Sequence, residues 1–251
     1  MFSRYRQLFG DARRSYTPAK EAEERRGDFP AWLLYRRVSY VVTPLFLLAG
    51  FSADAVTVLA ALLGVAMVPV ALWGGPQAWI AVVALNLFIH VLDCVDGTIA
   101  RVTRRSSPVG GMLDGLTTLL IWALYFTTVG MLAHDPAGSW VARHGRELGL
   151  AMAALLLAQR EMEDTYDNAF HERVRWEPPV PAALPAFDLK SWGKIIEHLV
   201  AFGGLTVAVL TRHLDFFLGV LVIYQLTVFA LWLPRYAASI YRRSKETKPR
   251  E

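Results

Sequence analysis

Three aspartates carry the densest potential chemistry in this chain. Asp93 and Asp96 are followed by Gly97, Ala100 and Arg101, then by a basic turn containing Ser106, Ser107 and Pro108, and then by Gly110 and Asp114. On a helix, positions i and i+3 share a face, so Asp93 and Asp96 project together. A short turn makes the next helix a neighbour, and Asp114 on that helix can close on the same pocket. Three carboxylates at one depth repel one another unless a cation neutralises them. An all-oxygen donor set favours a hard ion, Mg²⁺ or Mn²⁺. Gly97 and Gly110 remove side-chain bulk where the helices converge and leave room for a ligand beside the metal. The competing structural reading has Asp93 and Asp96 capping a helix end and pairing with Arg101 or Arg104. Ionisable residues inside apolar segments are usually functional, and three at matched depth favour the site reading.

The elements that must position these residues are apolar. Of 251 residues, 54% are hydrophobic and 19% charged, against roughly 45–50% and about 25% in a soluble domain. The aromatic content and low charge density exclude disorder. A single cysteine, Cys94, excludes a disulfide scaffold. A bilayer core about 30 Å thick needs roughly 20 mostly apolar helical residues. Six segments fit: about 53–73, 79–94, 112–132, 148–158 and beyond, 195–210, and 216–232. The fold class is therefore an all-α integral membrane protein. The stretch Pro30–Ala49 contains Arg36, Arg37 and Pro44, and each arginine in hydrocarbon costs about 2.5–3.5 kcal/mol. It reads as an amphipathic helix lying in the interface, anchored by Trp32, Leu33 and Tyr40.

Sorting the cations by side gives an orientation. With the N-terminus cytoplasmic, 23 of the 26 Lys and Arg residues fall on that side, and only Arg143, Arg146 and Arg212 on the other. The net charge of +4 hides this asymmetry. Both termini are expected in the cytoplasm, with the aspartates at the cytoplasmic face of a bacterial inner membrane. The basic face is expected to attract anionic headgroups and nucleotides. No nucleic-acid partner is expected.

The spacing Asp93-x-x-Asp96-Gly97-x-x-Ala100-Arg101-x8-Gly110-x-x-x-Asp114 resembles the signature of the CDP-alcohol phosphotransferase family. Ser52-Ala53-Asp54-Ala55-Val56-Thr57 is similar to the family's approach to its first span, usually S-P-N-x-x-T, preceded by an interfacial helix. The similarity covers about residues 31–132. It implies a six-helix membrane enzyme, commonly a homodimer, that transfers a substituted phosphoryl group from a CDP-linked donor to an alcohol and releases CMP, using a divalent metal. By resemblance, Asp93, Asp96 and Asp114 hold the metal. Asp54, Thr57, Asp93, Gly97, Ala100, Arg101 and Gly110 contact the nucleotide. The implied division is a charged segment over 1–29, an interfacial helix over 30–50, a membrane domain over 51–241 and a basic tail over 242–251.

One position departs from the family pattern. The signature ends in D-x-x-x-D, whose last Asp is read as the general base, and here that position is Thr118. Threonine does not accept a proton near neutral pH. A substitute carboxylate on the fourth span is one solution. Glu161, Asp164 and Asn168 recur at i, i+3, i+7, and Glu163, Asp167 and His171 at i, i+4, i+8. Asp54 is a further candidate, and the competing reading pairs the acidic helix end with Arg160 or Arg173. An acceptor that needs little deprotonation is a second solution. A chain that binds nucleotide or lipid without turnover, as a binding or scaffolding protein, is the third. The catalytic candidates are therefore Asp114, Thr118, Glu161 and Asp164. Lys194, Glu197 and His198 share a face entering the fifth span and suit an acceptor headgroup, or else form an internal ion pair. His90, one turn before Asp93, could orient a carboxylate or act as a core donor. A membrane prenyltransferase would need a second aspartate-rich motif, and Glu161–Asp167 lacks its spacing.

Overall fold

A computed structural model describes residues 2–170 and 203–246, and every regular element among them is helical. Two short helices, α1 (Phe2–Arg14) and α2 (Pro18–Gly27), precede a π-helical turn (Ala31–Tyr35) that runs directly into α3 (Arg36–Leu48). Gly50, at φ +79°, ends that run in a conformation glycine adopts without strain. Ser52 then caps α4 (Ala53–Trp73), its Oγ accepting the Ala55 N–H at 3.2 Å. α4 has one ionisable residue, Asp54, in 21 residues, enough to span about 31 Å. A 3₁₀ turn (Gly75–Gln77) leads to α5 (Ala78–Thr103), closed by Arg104 in the left-handed region at φ +55°. Ser107 caps α6 (Pro108–Ala133) by accepting the Gly110 N–H at 2.9 Å, with Pro108 at the first helical position. α7 (Trp140–Arg143), α8 (Gly145–Phe170), α9 (Leu205–Leu210) and α10 (Leu214–Glu246) complete the described elements.

Among the described residues, four stretches are long and apolar enough to cross a bilayer: Ala53–Trp73, Gly75–Thr103, Pro108–Ala133 and Leu214–Arg242. They contain the first, second, third and sixth expected spans. The fourth expected span lies within α8, whose uncharged Leu148–Ala158 core is bounded by Arg146 and Glu147 on one side and Arg160 and Glu161 on the other. The fifth is described only from residue 203 onward.

α4 is the hub. It packs along both α5 and α6, while α5 and α6, though consecutive, touch each other sparingly. Val56, Met67, Val82, Leu92, Val95 and Val129 fill the shared core, and Leu62, Val65 and Trp73 of α4 point outward. α6 also runs against α8, with the two backbones in contact: a Cβ on Gly149 would lie 2.7 Å from the Phe126 carbonyl oxygen. At that end, Ser139 Oγ donates to Asp215 Oδ2 at 2.7 Å, tying the start of α7 to α10.

α3 inverts the usual surface helix. Leu33 and Leu34 of the preceding turn and Val38, Val41 and Leu45 of α3 form an exposed apolar stripe, and Arg36, Ser39 and Thr43 are buried against the rest of the protein. Of the three expected anchors, Leu33 lies on the stripe. Trp32 and Tyr40 instead face the N-terminal helices: Trp32 Nε1 donates to Glu21 Oε1 at 3.2 Å, and Tyr40 meets Tyr16 edge-on.

Candidate active site

The N-terminal ends of α4 and α6 meet the last turns of α5 around a cleft of about 200 Å³. Ala53, Asp54 and Thr57 come from α4, and Asp96, Gly97 and Ala100 from α5. Arg105, Ser106, Ser107, Gly110, Gly111 and Asp114 come from the connecting turn and α6. Two helix starts facing one cleft set partial positive charge there, a disposition that favours anions. Arg105 adds a full cation.

Asp96 is 7% exposed and accepts a 2.6 Å hydrogen bond from Thr57 Oγ1. The Asp93 and Asp114 carboxyl groups lie within hydrogen-bonding reach of each other across the two helices. The three aspartates are thus arranged as a pair plus a third held by Thr57. Among the described residues, no group of three or more His, Cys, Asp or Glu side chains closes on a single point. The chemistry of the donors still suits a hard divalent cation. All are oxygens, and two carboxyl groups in hydrogen-bond contact need a proton or a cation between them.

Gly110 marks a close approach. A Cβ there would sit 3.0 Å from Asp54 Oδ1 and 3.3 Å from Ser107 Oγ, so a side chain would press Asp54 out of position. Arg101 folds back along α5: its Nη2 donates to Thr98 Oγ1 at 3.2 Å, and its Nη1 would lie 3.3 Å from a Cβ on Gly97. It therefore lies beside the cleft wall rather than among the residues that form it.

Of the expected nucleotide contacts, Asp54, Thr57, Gly97, Ala100 and Gly110 border the cleft together with Asp96 and Asp114, whereas Asp93 is not among the bordering residues. Thr118 is exposed one turn beyond Asp114. Glu161 and Asp164 are not among the residues bordering the cleft. Asp164 pairs with Arg160 at 3.1 Å, and Glu163 lies 3.6 Å from the same guanidinium. His90 Nδ1 donates to the Asn86 carbonyl at 2.8 Å, and its ring packs near Tyr35 and Trp122. Lys194, Glu197, His198 and His171, and the side chains of Asp167 and Asn168, lie outside the described residues.

Residue reading overlooked Arg105, Ser107 and Gly111 as cleft residues. The Ser-Pro-x-Gly start of α6 was a legible capping signal for that turn.

The family profile for CDP-alcohol phosphatidyltransferase matches residues 51–232. The chain belongs to this family. Membership identifies a membrane transferase of the CDP-alcohol class, and the matched segment contains the whole cleft and every signature aspartate. No curated protein matches the chain. The family match begins at residue 51, so α1, α2 and α3 precede it.

Proposed function

We propose that the cleft catalyses metal-dependent transfer of a substituted phosphoryl group from a CDP-linked donor, CDP-diacylglycerol or another CDP-alcohol, to the oxygen of an acceptor. CMP is released, and the reaction serves phospholipid or related biosynthesis. The observation that carries this reading is the arrangement of Asp96 held by Thr57 beside the Asp93–Asp114 pair, at a cleft edged by Arg105 and two helix starts.

Each chain residue has a task. Arg105 and the backbone N–H groups opening α4 and α6 attract the diphosphate. Gly97 and Ala100 present a wall without bulk against which the nucleotide lies. Thr57 fixes the Asp96 carboxylate. Asp93, Asp96 and Asp114 would hold Mg²⁺ or Mn²⁺, which supplies charge neutralisation at the phosphates and the leaving oxygen. The acceptor oxygen bonds to the phosphorus bearing the donor's alcohol. The diphosphate P–O bond breaks, and the bridging oxygen leaves on CMP. With threonine at 118, Asp114 takes the acceptor's proton in this scheme. The family resemblance supports a homodimer, and the distribution of cations supports an active site at the cytoplasmic face.

Purified protein incubated with Mg²⁺ or Mn²⁺, CDP-diacylglycerol or other CDP-alcohols, and a panel of acceptors is expected to release CMP. No CMP with any combination, and no metal-dependent CDP binding, would sink the reading. Metal-dependent CDP binding without CMP release would favour the binding-protein alternative, for which Thr118 is the specific support. Thr118→Asp separates two histories. A gain in turnover means that a base was lost from this position, and a fall means that the cleft has been rebuilt around threonine.

A further inference from the structure

Arg36 lies before the family match, yet it is 6% exposed and buried against the signature helix. Its Nε donates to Glu24 Oε2 at 3.1 Å, and its Nη2 pairs with Glu24 Oε1. Nη1 donates to the Cys94 carbonyl at 2.8 Å and to Thr98 Oγ1 at 3.1 Å, both on α5. Glu24 is itself 7% exposed and accepts from Tyr16 OH at 2.9 Å. Thr98 Oγ1 also receives Arg101 Nη2. A continuous polar chain therefore runs from Tyr16 in the α1–α2 turn through Glu24 and Arg36 to the Arg101 guanidinium of the signature.

Burying an ion pair is costly, and breaking one is costlier, so this arrangement needs a reason beyond stability. Ligand capture is a poor one. The carboxylate of Glu24 takes both edges of the guanidinium that face it, and α5 takes Nη1. Geometry offers a better reason. At about 100° per residue, Cys94 and Thr98 share a face of α5 that points about 180° away from Asp96. Arg36 thus grips α5 on one side while Thr57 holds Asp96 on the other. A helix gripped on opposite faces cannot rotate or slide without breaking one grip.

We propose that Glu24 and Arg36 form a strut that sets the rotation of α5, so that Asp96 faces Thr57 and Asp93 faces Asp114. The N-terminal segment then works as part of the site although it precedes the family match. Glu24, Arg36 and Thr98 are positioning residues. The catalytic consequence rests on the proposed function; the grip on α5 does not.

Cys94, the chain's single cysteine, is buried and contributes its carbonyl to the strut, so its thiol is a built-in reporter. In the full-length protein in detergent, the rate of Cys94 alkylation by N-ethylmaleimide and the Mn²⁺ concentration for half-maximal CMP release are measured in parallel. Arg36→Met alone strands Glu24 and is expected to fold poorly, so the informative variant is Glu24→Gln with Arg36→Met, which removes both charges. It is expected to fold, to alkylate at least tenfold faster and to need at least tenfold more Mn²⁺. Thr98→Val, which deletes only the shared hydroxyl, should move both readouts in the same direction by less. Val129→Ala, a core truncation in α6, serves as a control for lost stability and should shift melting without shifting either readout. A folded double variant with wild-type alkylation and wild-type Mn²⁺ requirement overturns the strut, as does a control that moves both readouts equally. If the wild type releases no CMP, the functional reading falls, and alkylation alone still decides whether the strut exists.

Discussion

Two sets of charges meet α5 between Asp93 and Arg101, and the protein treats them in opposite ways. On one side, Arg36 is matched by Glu24 and satisfied by the Cys94 carbonyl and Thr98. On the other, Asp93, Asp96 and Asp114 have a threonine hydroxyl and one another for company, and no guanidinium or ammonium pairs with any of them among the described residues. A charge that finds its counter-charge within the chain can serve as structure. Like charges gathered without one need a proton or a cation from outside, and that imbalance is what makes the aspartate face a candidate ligand site. The same helix carries both because a structural grip on one face is what allows the other face to be left incomplete.

The comparison breaks most readily at Asp96. Asp96→Asn is expected to lower CMP release by about 10³-fold or more, beyond the 10–100-fold typical of residues that only orient a ligand. A loss smaller than tenfold would put Asp96 on the structural side. Metal addition sharpens the contrast next. An ion that binds only the folded chain at 100 times its Kd stabilises it by about 2.7 kcal/mol. Mn²⁺ should therefore raise the melting temperature of the wild type but not of Asp96→Asn. Equal responses in the two would remove the aspartates as the reason. Thr57→Val keeps shape and loses the 2.6 Å bond to Asp96. About a 10–100-fold fall in activity with little change in melting is expected, in keeping with an orienting partner. The smallest effect belongs to the acidic end of α8. Asp164→Asn breaks a half-exposed pair with Arg160 and should cost less than about 1 kcal/mol. It should leave CMP release within about twofold, the spread of an ordinary surface substitution. A large loss there would reinstate Asp164 as the base that Thr118 cannot be.

Much of the fold was legible in the residues. Ala53–Trp73 is bounded by Ser52 and Gly74 and holds a single ionisable residue, so its helix is readable to the residue. The α5–α6 region was legible for a similar reason: the Ser107-Pro108 cap and the aspartate spacing are local patterns. The fourth span was harder, because the charges flanking residues 148–158 leave an apolar core shorter than a bilayer. The site was half legible. Asp96, Gly97, Gly110 and Asp114 could be placed together from spacing. That α4 packs against both partner helices, bringing Thr57 onto Asp96, could not, since a short α5–α6 turn suggests direct pairing instead. Arg36 and Arg37 read as costs that keep their helix out of hydrocarbon. The partner that makes Arg36 affordable to bury, Glu24, lies twelve residues earlier on a separate helix.

The sequence by itself determined that this chain is helical and membrane-embedded, and that its aspartates belong to a CDP-alcohol signature. Those properties follow from hydropathy and from spacings within one or two helical turns, which neighbours along the chain suffice to express. Tertiary structure alone decided which aspartate is held and which two meet, and that an arginine outside the family match grips the signature helix. Each of these depends on which helix lies against which and at what rotation. That choice is made by packing whole faces together, and no local spacing records it.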